Sequence, residues 1–137
     1  MTFLFKLLCV GSLFLPCQQN DFRKFLDSVR QVETGGLPND GIGAVGDSGK
    51  SYGPYQIQKA YWIDANMPTG KWEDCLTDKA YAEEVMRRYF ERYAPDAMKN
   101  GDWQVLARIH NGGPKGHTKT ATESYWKKVE ILLTSSL

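Results

Sequence analysis

The sequence predicts an α+β fold that is predominantly helical, with about five helices and one small β-hairpin. The 137 residues leave room for one domain with one core. The composition, 42% hydrophobic and 24% charged, is that of a soluble globular protein and not of a disordered chain. Apolar residues recur at helical spacing along most of the chain, and a single glycine-rich stretch breaks the pattern.

The N-terminal segment has the pattern of a secretory signal peptide. One basic residue, Lys6, precedes an apolar run, and polar residues follow from about Cys17 or Gln18, where cleavage is expected. The run is shorter than the roughly 20 residues that cross a bilayer, so we expect no stable membrane association. Residues 1–19 are therefore predicted to be a signal peptide and residues 20–137 the secreted domain, released outside the cell or into a lumen.

Charge and cysteine content exclude several classes of protein. Loss of Lys6 leaves 16 basic and 16 acidic residues, and no basic stripe is present that would bind nucleic acid. Of the three cysteines, only Cys75 lies beyond the signal region, so the secreted domain has no internal disulfide. We expect Cys75 to be buried and inert rather than reactive or paired with another molecule.

The first helices flank the glycine-rich stretch. Apolar residues three, four and seven apart predict a helix over residues 21–33, which should end at the Gly-Gly pair that follows. Residues 36–56 are rich in turn formers and predict turns plus a small hairpin. Residues 56–67 return to a helical composition, and Pro68 should end this helix.

Three more helices are predicted in the second half of the chain. Thr77 is a good N-cap for the longest one, which Pro95 should close. Residues 102–110 predict a short helix that the following Gly-Gly-Pro halts. Thr120 has Glu123 three residues on, which is the spacing of a capping box, and should open the last helix.

Two acidic residues differ from the others in their surroundings. Glycoside hydrolysis needs a proton donor and a second carboxylate that face each other across a cleft. Glu33 ends an apolar helix before Thr-Gly-Gly, where its side chain can project into a cleft, and Asp47 lies in a tight glycine-rich turn. The residues alone leave open that Glu33 is a solvated helix end and that Asp47 hydrogen-bonds only its own turn. Other acids lie in helices that also carry Lys or Arg, where a solvated or capping role is expected: Glu83, Glu84, Glu91, Glu123 and Glu130.

Five local strings support a more specific interpretation. They are VETGG at 32–36, GDSGKSYGPYQI at 46–57, AYWID at 60–64, RYA at 92–94 and HNGGPKG at 110–116. In this order they resemble the invertebrate-type lysozymes, the group that includes leech destabilase, and they span essentially the whole secreted domain. The combination of GPYQI, AYW and HNGGPxG is specific, whereas E-x-G-G alone also occurs in goose-type lysozymes and lytic transglycosylases.

The resemblance implies a lysozyme-like fold with the hairpin beside an active-site cleft. It implies hydrolysis of the β-1,4 bond between N-acetylmuramic acid and N-acetylglucosamine in bacterial peptidoglycan, in an antibacterial or digestive role. Glu33 would be the proton donor, and Asp47 the nucleophile or electrostatic stabiliser. We expect a monomer acting on peptidoglycan or a chitooligosaccharide without a cofactor. His110 and His117 are the only histidines, so no metal site is expected.

Two segments fall where the family binds sugar, one around AYW and one at HNGG. Aromatic rings beside polar groups suit a sugar's apolar face and hydroxyl rim, and HNGG offers an amide and backbone donors for N-acetyl groups. Tyr61 and Trp62 could equally be core residues, and His110 could be structural. The expected substrate-binding residues are Tyr55, Gln58, Lys59, Tyr61, Trp62, Asp64, His110, Asn111 and Gly112.

The chain departs from the family in its cysteines. Invertebrate-type lysozymes are normally cysteine-rich, but Tyr52 and Ala65 stand where the family usually has cysteine, and only Cys75 is kept. The family's disulfide framework is therefore not expected, and the fold must be held by packing.

Other functions stay open beside hydrolysis. A non-catalytic glycan-binding protein on the same scaffold would have lost one carboxylate, and a lytic transglycosylase would need only Glu33. A cysteine peptidase would use Cys75, His110 and Asn111, but the acids directly before Cys75 disfavour a thiolate. Some relatives are credited with a secondary isopeptidase activity, but no feature of this sequence indicates it.

Overall fold

Helices dominate residues 16–135, the part of the chain that this computed structural model describes. The predicted signal peptide lies outside the described residues except for residues 16–19, which belong to the first helix. The described residues form seven α-helices: α1 (Pro16–Thr34), α2 (Lys59–Ala65), α3 (Asp74–Thr77), α4 (Lys79–Tyr93), α5 (Pro95–Asn100), α6 (Trp103–Gly112) and α7 (Glu123–Ser135). Three strands, β1 (Val45–Gly46), β2 (Ser51–Tyr52) and β3 (Ile57–Gln58), form an antiparallel sheet. The predicted α+β, predominantly helical class is confirmed.

Helix α1 is longer than predicted and brings one face into the core. It begins at Pro16 instead of at residue 21. Phe25 and Val29 on its inner face are fully buried, and the helix packs against α7. Its C-terminal end, which carries Glu33, therefore faces α7.

The glycine-rich stretch forms the predicted hairpin and pairs with a third strand. Strand β2 lies between β1 and β3. Helix α2 begins only at Lys59, so the prediction of a helix from residue 56 was wrong at its start. Gln56 has a φ of 53°, outside the helical region, and Ile57 is buried as part of β3.

Two helices begin at other residues than predicted. Asp78, not Thr77, is the N-cap of α4, and its carboxylate accepts from the Tyr81 amide at 3.0 Å. Thr77 instead ends α3. Thr120 opens a 3₁₀ turn, and α7 begins at Glu123. A residue with capping chemistry does not by itself show which backbone amide its side chain will meet.

The two short helices α3 and α5 were not predicted. Pro95 ends α4, as expected, but it also occupies the first turn of α5, where its missing N–H costs nothing. The predicted helix over residues 102–110 is confirmed as α6. Asp102 is its N-cap and accepts from the Val105 amide at 3.2 Å.

The core lies where α1, α4 and α6 meet. Its fully buried members include Phe25, Val29, Val85, Met86, Phe90, Leu106 and Ile109. Cys75 is buried as well and carries a free thiol, as predicted. Burial, together with the charges of Asp74 and Asp78, raises the pKa of this thiol to about 12. Such a thiol stays protonated and unreactive at neutral pH.

The sheet packs against the loop before α3 through stacked aromatic rings. The rings of Tyr52 and Trp72 are nearly parallel, with centroids 4.0 Å apart and an interplanar angle of 8°. The indole N–H of Trp72 also donates to the carbonyl oxygen of Ile57 at 2.9 Å. Tyr52 stands at a position of an expected family cysteine, so non-covalent contacts link these segments.

Candidate active site

A cleft of about 670 Å³ is lined by the end of α1, the sheet, α2, α6 and the segment leading into α7. It brings together residues that are far apart in sequence, because α1, the sheet and α6 converge there. Of the residues predicted from the sequence, the cleft walls include Glu33, Asp47, Gln58, Tyr61, Asp64, His110, Asn111 and Gly112.

Glu33 lies on the last turn of α1 and is largely enclosed. Its side chain is 20% exposed. The hydroxyl of Tyr125 on α7 donates to Glu33 Oε1 at 2.9 Å, and Nε2 of His110 lies 3.6 Å from the same oxygen. Among residues 16–135, Oε2 of Glu33 has no hydrogen-bond partner. Glu33 therefore lines the cleft with one oxygen that makes no contact to the protein.

Asp47 is exposed and held by the sheet. Its φ is 49°, and it follows Gly46, where an added Cβ would lie 2.0 Å from Oε1 of Gln56. The hydroxyl of Ser51 donates to Asp47 Oδ2 at 2.6 Å, and Nε2 of Gln58 lies 3.5 Å from that oxygen. A glycine before the turn and a donor on each neighbouring strand therefore fix this carboxylate.

His110 lies beside Glu33, and its side chain is only 3% exposed. Its Nε2 lies 3.2 Å from the carbonyl oxygen of Tyr55, and its Nδ1 lies 3.0 Å from the Tyr61 hydroxyl. A carbonyl oxygen can only accept, so the partners assign the proton of the neutral ring to Nε2. Nδ1 then accepts from the Tyr61 hydroxyl.

Tyr61 is fixed in the wall of the cleft by stacking. Its ring lies 3.7 Å from that of Tyr89, with an angle of 10°. Burial raises the pKa of Tyr61, and the neighbouring Tyr89 and Glu33 act in the same direction. The hydroxyl therefore stays neutral and can donate to His110. Tyr61 thus packs on the core and also lines the cleft.

Two arginines of α4 hold α2 in place. Arg92 donates to the carbonyl oxygen of Asp64 at 2.7 Å, and Arg88 donates to that of Ala65 at 3.1 Å. Cations at the C-terminal carbonyls of a helix also complement its dipole. The contacts keep Asp64 at the edge of the cleft.

The structure does not bring three of the predicted sugar-binding residues into the cleft. Tyr55 is fully buried, and its hydroxyl donates to Glu83 Oε1 at 2.6 Å on the far side of the core. The expectation that its side chain binds sugar is corrected: only its backbone carbonyl approaches the site. Trp62 packs on the core and donates from Nε1 to the Tyr81 hydroxyl at 2.9 Å. Lys59 is exposed outside the cleft walls.

A partly buried ion pair anchors the Tyr55 side chain. Arg23 donates from Nη1 to Glu83 Oε2 at 2.8 Å, and Glu83 Oε1 accepts from Tyr55. Burial alone opposes the charge on Glu83, but the hydrogen bonds from Arg23 and Tyr55 outweigh it and lower the pKa of this carboxyl. The pair joins α1 to α4 directly. It also holds the side chain of Tyr55, whose carbonyl oxygen lies near His110.

Sequence reasoning missed several residues of the site. Helical periodicity predicts only that Tyr125 is a buried position of the last helix, because periodicity indicates burial and not the partner of a hydroxyl. Ser51 lies within the GDSGKSYGPYQI string, but no local pattern marks it as the partner of Asp47. Further unpredicted cleft residues are Gln56, Lys119 and Thr122.

Neither a metal site nor a membrane span is found in the described part of the chain. Residues 16–135 contain no group of three or more His, Cys, Asp or Glu side chains placed to hold a metal ion. None of the helices in this range is long and apolar enough to cross a membrane.

The sequence and the structure of this chain are similar to those of known lysozymes. The Destabilase family model matches residues 39–131. Lysozyme 1 of Crassostrea virginica is 37% identical over 106 residues, which cover 77% of this chain but 56% of that protein, so the chain spans little more than half the length of this relative. The invertebrate-type lysozyme of Ruditapes philippinarum is 33% identical, with 79% of each chain covered. A crystal structure of Meretrix lusoria lysozyme in complex with Aeromonas hydrophila PliI superposes with a TM-score of 0.65 at 32% identity, covering 80% of this chain and 88% of that one.

Proposed function

Because the chain belongs to the destabilase family of invertebrate-type lysozymes, we propose that it hydrolyses the β-1,4 bond between N-acetylmuramic acid and N-acetylglucosamine in peptidoglycan. One observation carries the proposal: Glu33 and Asp47 line the same cleft in two different environments. A glycosidase needs one carboxyl that gives a proton and another that stays charged.

Glu33 is the proton donor. It is the more enclosed of the two carboxyls, and the rings of His110 and Tyr125 surround it. As the general acid it gives its proton to the glycosidic oxygen as the bond to the sugar breaks. The leaving sugar departs with a new hydroxyl group, and Glu33 then takes a proton from the attacking water.

Asp47 is the carboxylate partner. It is exposed, and the donors of Ser51 and Gln58 lie at one of its oxygens. A charged carboxylate at this place stabilises the positive charge that develops on the anomeric carbon, whether it attacks that carbon or remains beside it.

The walls of the cleft supply the groups that bind the glycan. Gln58 and Asp64 on one side and Asn111 on the other provide polar groups within the same cleft. Such groups suit the hydroxyl and N-acetyl groups of a peptidoglycan or chitooligosaccharide chain. Gly112 adds a stretch of backbone without a side chain, which allows close approach of a sugar.

The test is a set of isosteric variants assayed for clearing of a bacterial wall suspension. Glu33→Gln removes the proton and should abolish clearing, and Asp47→Asn removes the negative charge and should reduce it at least 100-fold. Glu130→Gln, on an exposed face of α7, is the matched control and should clear like the unmodified protein. Circular dichroism checks that all three are folded. Clearing at the normal rate by Glu33→Gln would overturn the proposal.

Product analysis separates hydrolysis from related activities. A hydrolase leaves reducing sugar ends, whereas a lytic transglycosylase leaves anhydro ends and tolerates Asp47→Asn. A glycan-binding protein releases no fragments at all. Only reducing ends, lost in Glu33→Gln, agree with the proposal.

Secretion and a monomeric state are further parts of this proposal. The N-terminal pattern supports cleavage of residues 1–19, and the balanced charge of the remaining chain offers no basic surface for nucleic acid. N-terminal sequencing of protein recovered from a culture medium would test the cleavage, and sedimentation would test the monomer. Meretrix lusoria lysozyme is crystallised with PliI, so a PliI-type inhibitor is also a partner to test.

A further inference from the structure

Among residues 16–135, Glu33 is contacted at one of its two carboxylate oxygens only. Tyr125 donates to Glu33 Oε1 at 2.9 Å from α7, and His110 Nε2 approaches the same oxygen to 3.6 Å from α6. Tyr125 is buried, and burial, together with the charge of Glu33, raises the pKa of its hydroxyl well above the usual range. This hydroxyl is therefore a neutral hydrogen-bond donor at every pH at which a lysozyme works.

His110 packs on the same side of Glu33, but its hydrogen is directed elsewhere. The carbonyl oxygen of Tyr55 requires a proton on Nε2 and takes that hydrogen, and the Tyr61 hydroxyl donates to Nδ1. Tyr125 is therefore the donor at Oε1. A proton of Glu33 placed on Oε1 would face the Tyr125 hydrogen, whereas Oε2 has no partner among the described residues and is not buried.

We propose that Tyr125 is a positioning residue for the proton donor. Its hydroxyl occupies Oε1 and so keeps the acid proton of Glu33 on Oε2, the oxygen that meets the substrate. The inference rests on the proposed role of Glu33. It has a second consequence: a donor at Oε1 stabilises a charged carboxylate more than a neutral acid, so we expect a change in the donor strength of Tyr125 to move the pH profile of the reaction.

The titratable groups that face Glu33 come from three elements. They are Tyr125 on α7, His110 on α6 and Tyr61 on α2, whose hydroxyl also feels the charge of Glu33. Only Tyr125 makes a direct hydrogen bond to the carboxyl among the described residues. Removal of the Tyr125 hydroxyl should therefore change the pH profile of the activity more than it changes the stability of the protein.

The test changes the donor strength of Tyr125 in both directions. Tyr125→Phe removes the donor, so kcat should fall about tenfold with little change in KM, and the alkaline limb of the activity profile should move up by about one pH unit. Site-specific 3-fluorotyrosine at position 125 has a more acidic phenol and is a stronger donor. It should move the alkaline limb down.

A matched control removes a tyrosine hydroxyl elsewhere. Tyr81→Phe loses the contacts to Trp62 Nε1 and the carbonyl oxygen of Thr69, both outside the cleft walls. It should lower stability and leave the pH profile unchanged. This separates a general loss of hydrogen bonding from an effect on the proton donor.

The outcomes distinguish this inference from the proposed function. Opposite movements of the alkaline limb in the two Tyr125 variants support it. An unmoved limb in both, with Glu33→Gln inactive, overturns the positioning role and leaves the lysozyme proposal intact. If Tyr125→Phe does not fold, the fluorotyrosine protein decides alone: no downward movement overturns the inference. An active Glu33→Gln overturns both.

Discussion

The side chain of Gln56 fills the space above Gly46, so that an added Cβ at Gly46 would lie 2.0 Å from Gln56 Oε1. Gln56 is held there by a hydrogen bond from its Nε2 to the carbonyl oxygen of Gly53 at 2.9 Å. Gly46 pairs with Ser51 and directly precedes Asp47. A side chain at residue 46 would therefore have to displace the Gln56 amide from its hydrogen bond beside the turn that carries Asp47.

Gly46→Ala should displace the turn that carries Asp47. We expect activity to fall at least tenfold and the free energy of unfolding to fall by about 1–3 kcal/mol, as for overpacking elsewhere. Wall-clearing rates and urea unfolding measure the two effects. Gly46→Ala should cost less stability when it is introduced into the Gln56→Ala variant than into the unmodified protein, because removal of the Gln56 side chain restores the space. Full activity in Gly46→Ala would show that the close approach is unimportant.

The Arg23–Glu83 pair should make stability depend on acid pH. The pKa of Glu83 is lowered in the folded state, so the unfolded chain takes up its proton first as the pH falls. This contribution is complete above the unfolded value, about 4.3, and is lost as the pH falls through the folded value. Glu83→Gln should cost about 1–3 kcal/mol at pH 7 and flatten the decline of stability below about pH 5. Urea unfolding at several pH values, with Glu130→Gln as control, measures this, and an unchanged decline contradicts it.

The thiol of Cys75 should not react with thiol reagents in the folded protein. Its pKa of about 12 leaves well under 1% thiolate at pH 8, and the side chain is fully buried. In a chain that starts at Asn20, an aromatic disulfide reagent should therefore react with no thiol at pH 8 and with one after unfolding in urea. Rapid reaction of the folded chain would show that the region around α3 opens readily.

The two carboxylates proposed to be catalytic could be found from sequence, whereas their surroundings could not. Glu33 and Asp47 lie in local strings whose order is recognisable, and the cleft brings both together. Tyr125 is 92 residues from Glu33, and helical periodicity describes it only as an apolar position. Tyr55 was among the residues expected to bind sugar, but its side chain is fully buried. Its hydroxyl partner, Glu83, is 28 residues away, and no local pattern marks that contact.

Boundaries of elements were less predictable than their existence. The strand at Ile57–Gln58 has two residues, too few for an alternating pattern to show against the helix that follows. Thr77 and Asp78 are neighbours with the same capping chemistry, and only the contact to the Tyr81 amide distinguishes them. Short-range backbone geometry, which composition does not specify, therefore decided these boundaries.

The stacked rings of Tyr52 and Trp72 have a consequence for the environments in which the protein can work. A ring pair has no bond that a reductant can cleave, and the domain beyond the predicted signal peptide keeps a single buried thiol. Folding therefore needs no oxidase or disulfide isomerase. Dithiothreitol should leave the cleft and its activity intact, at redox potentials that would open the disulfides of cysteine-rich relatives.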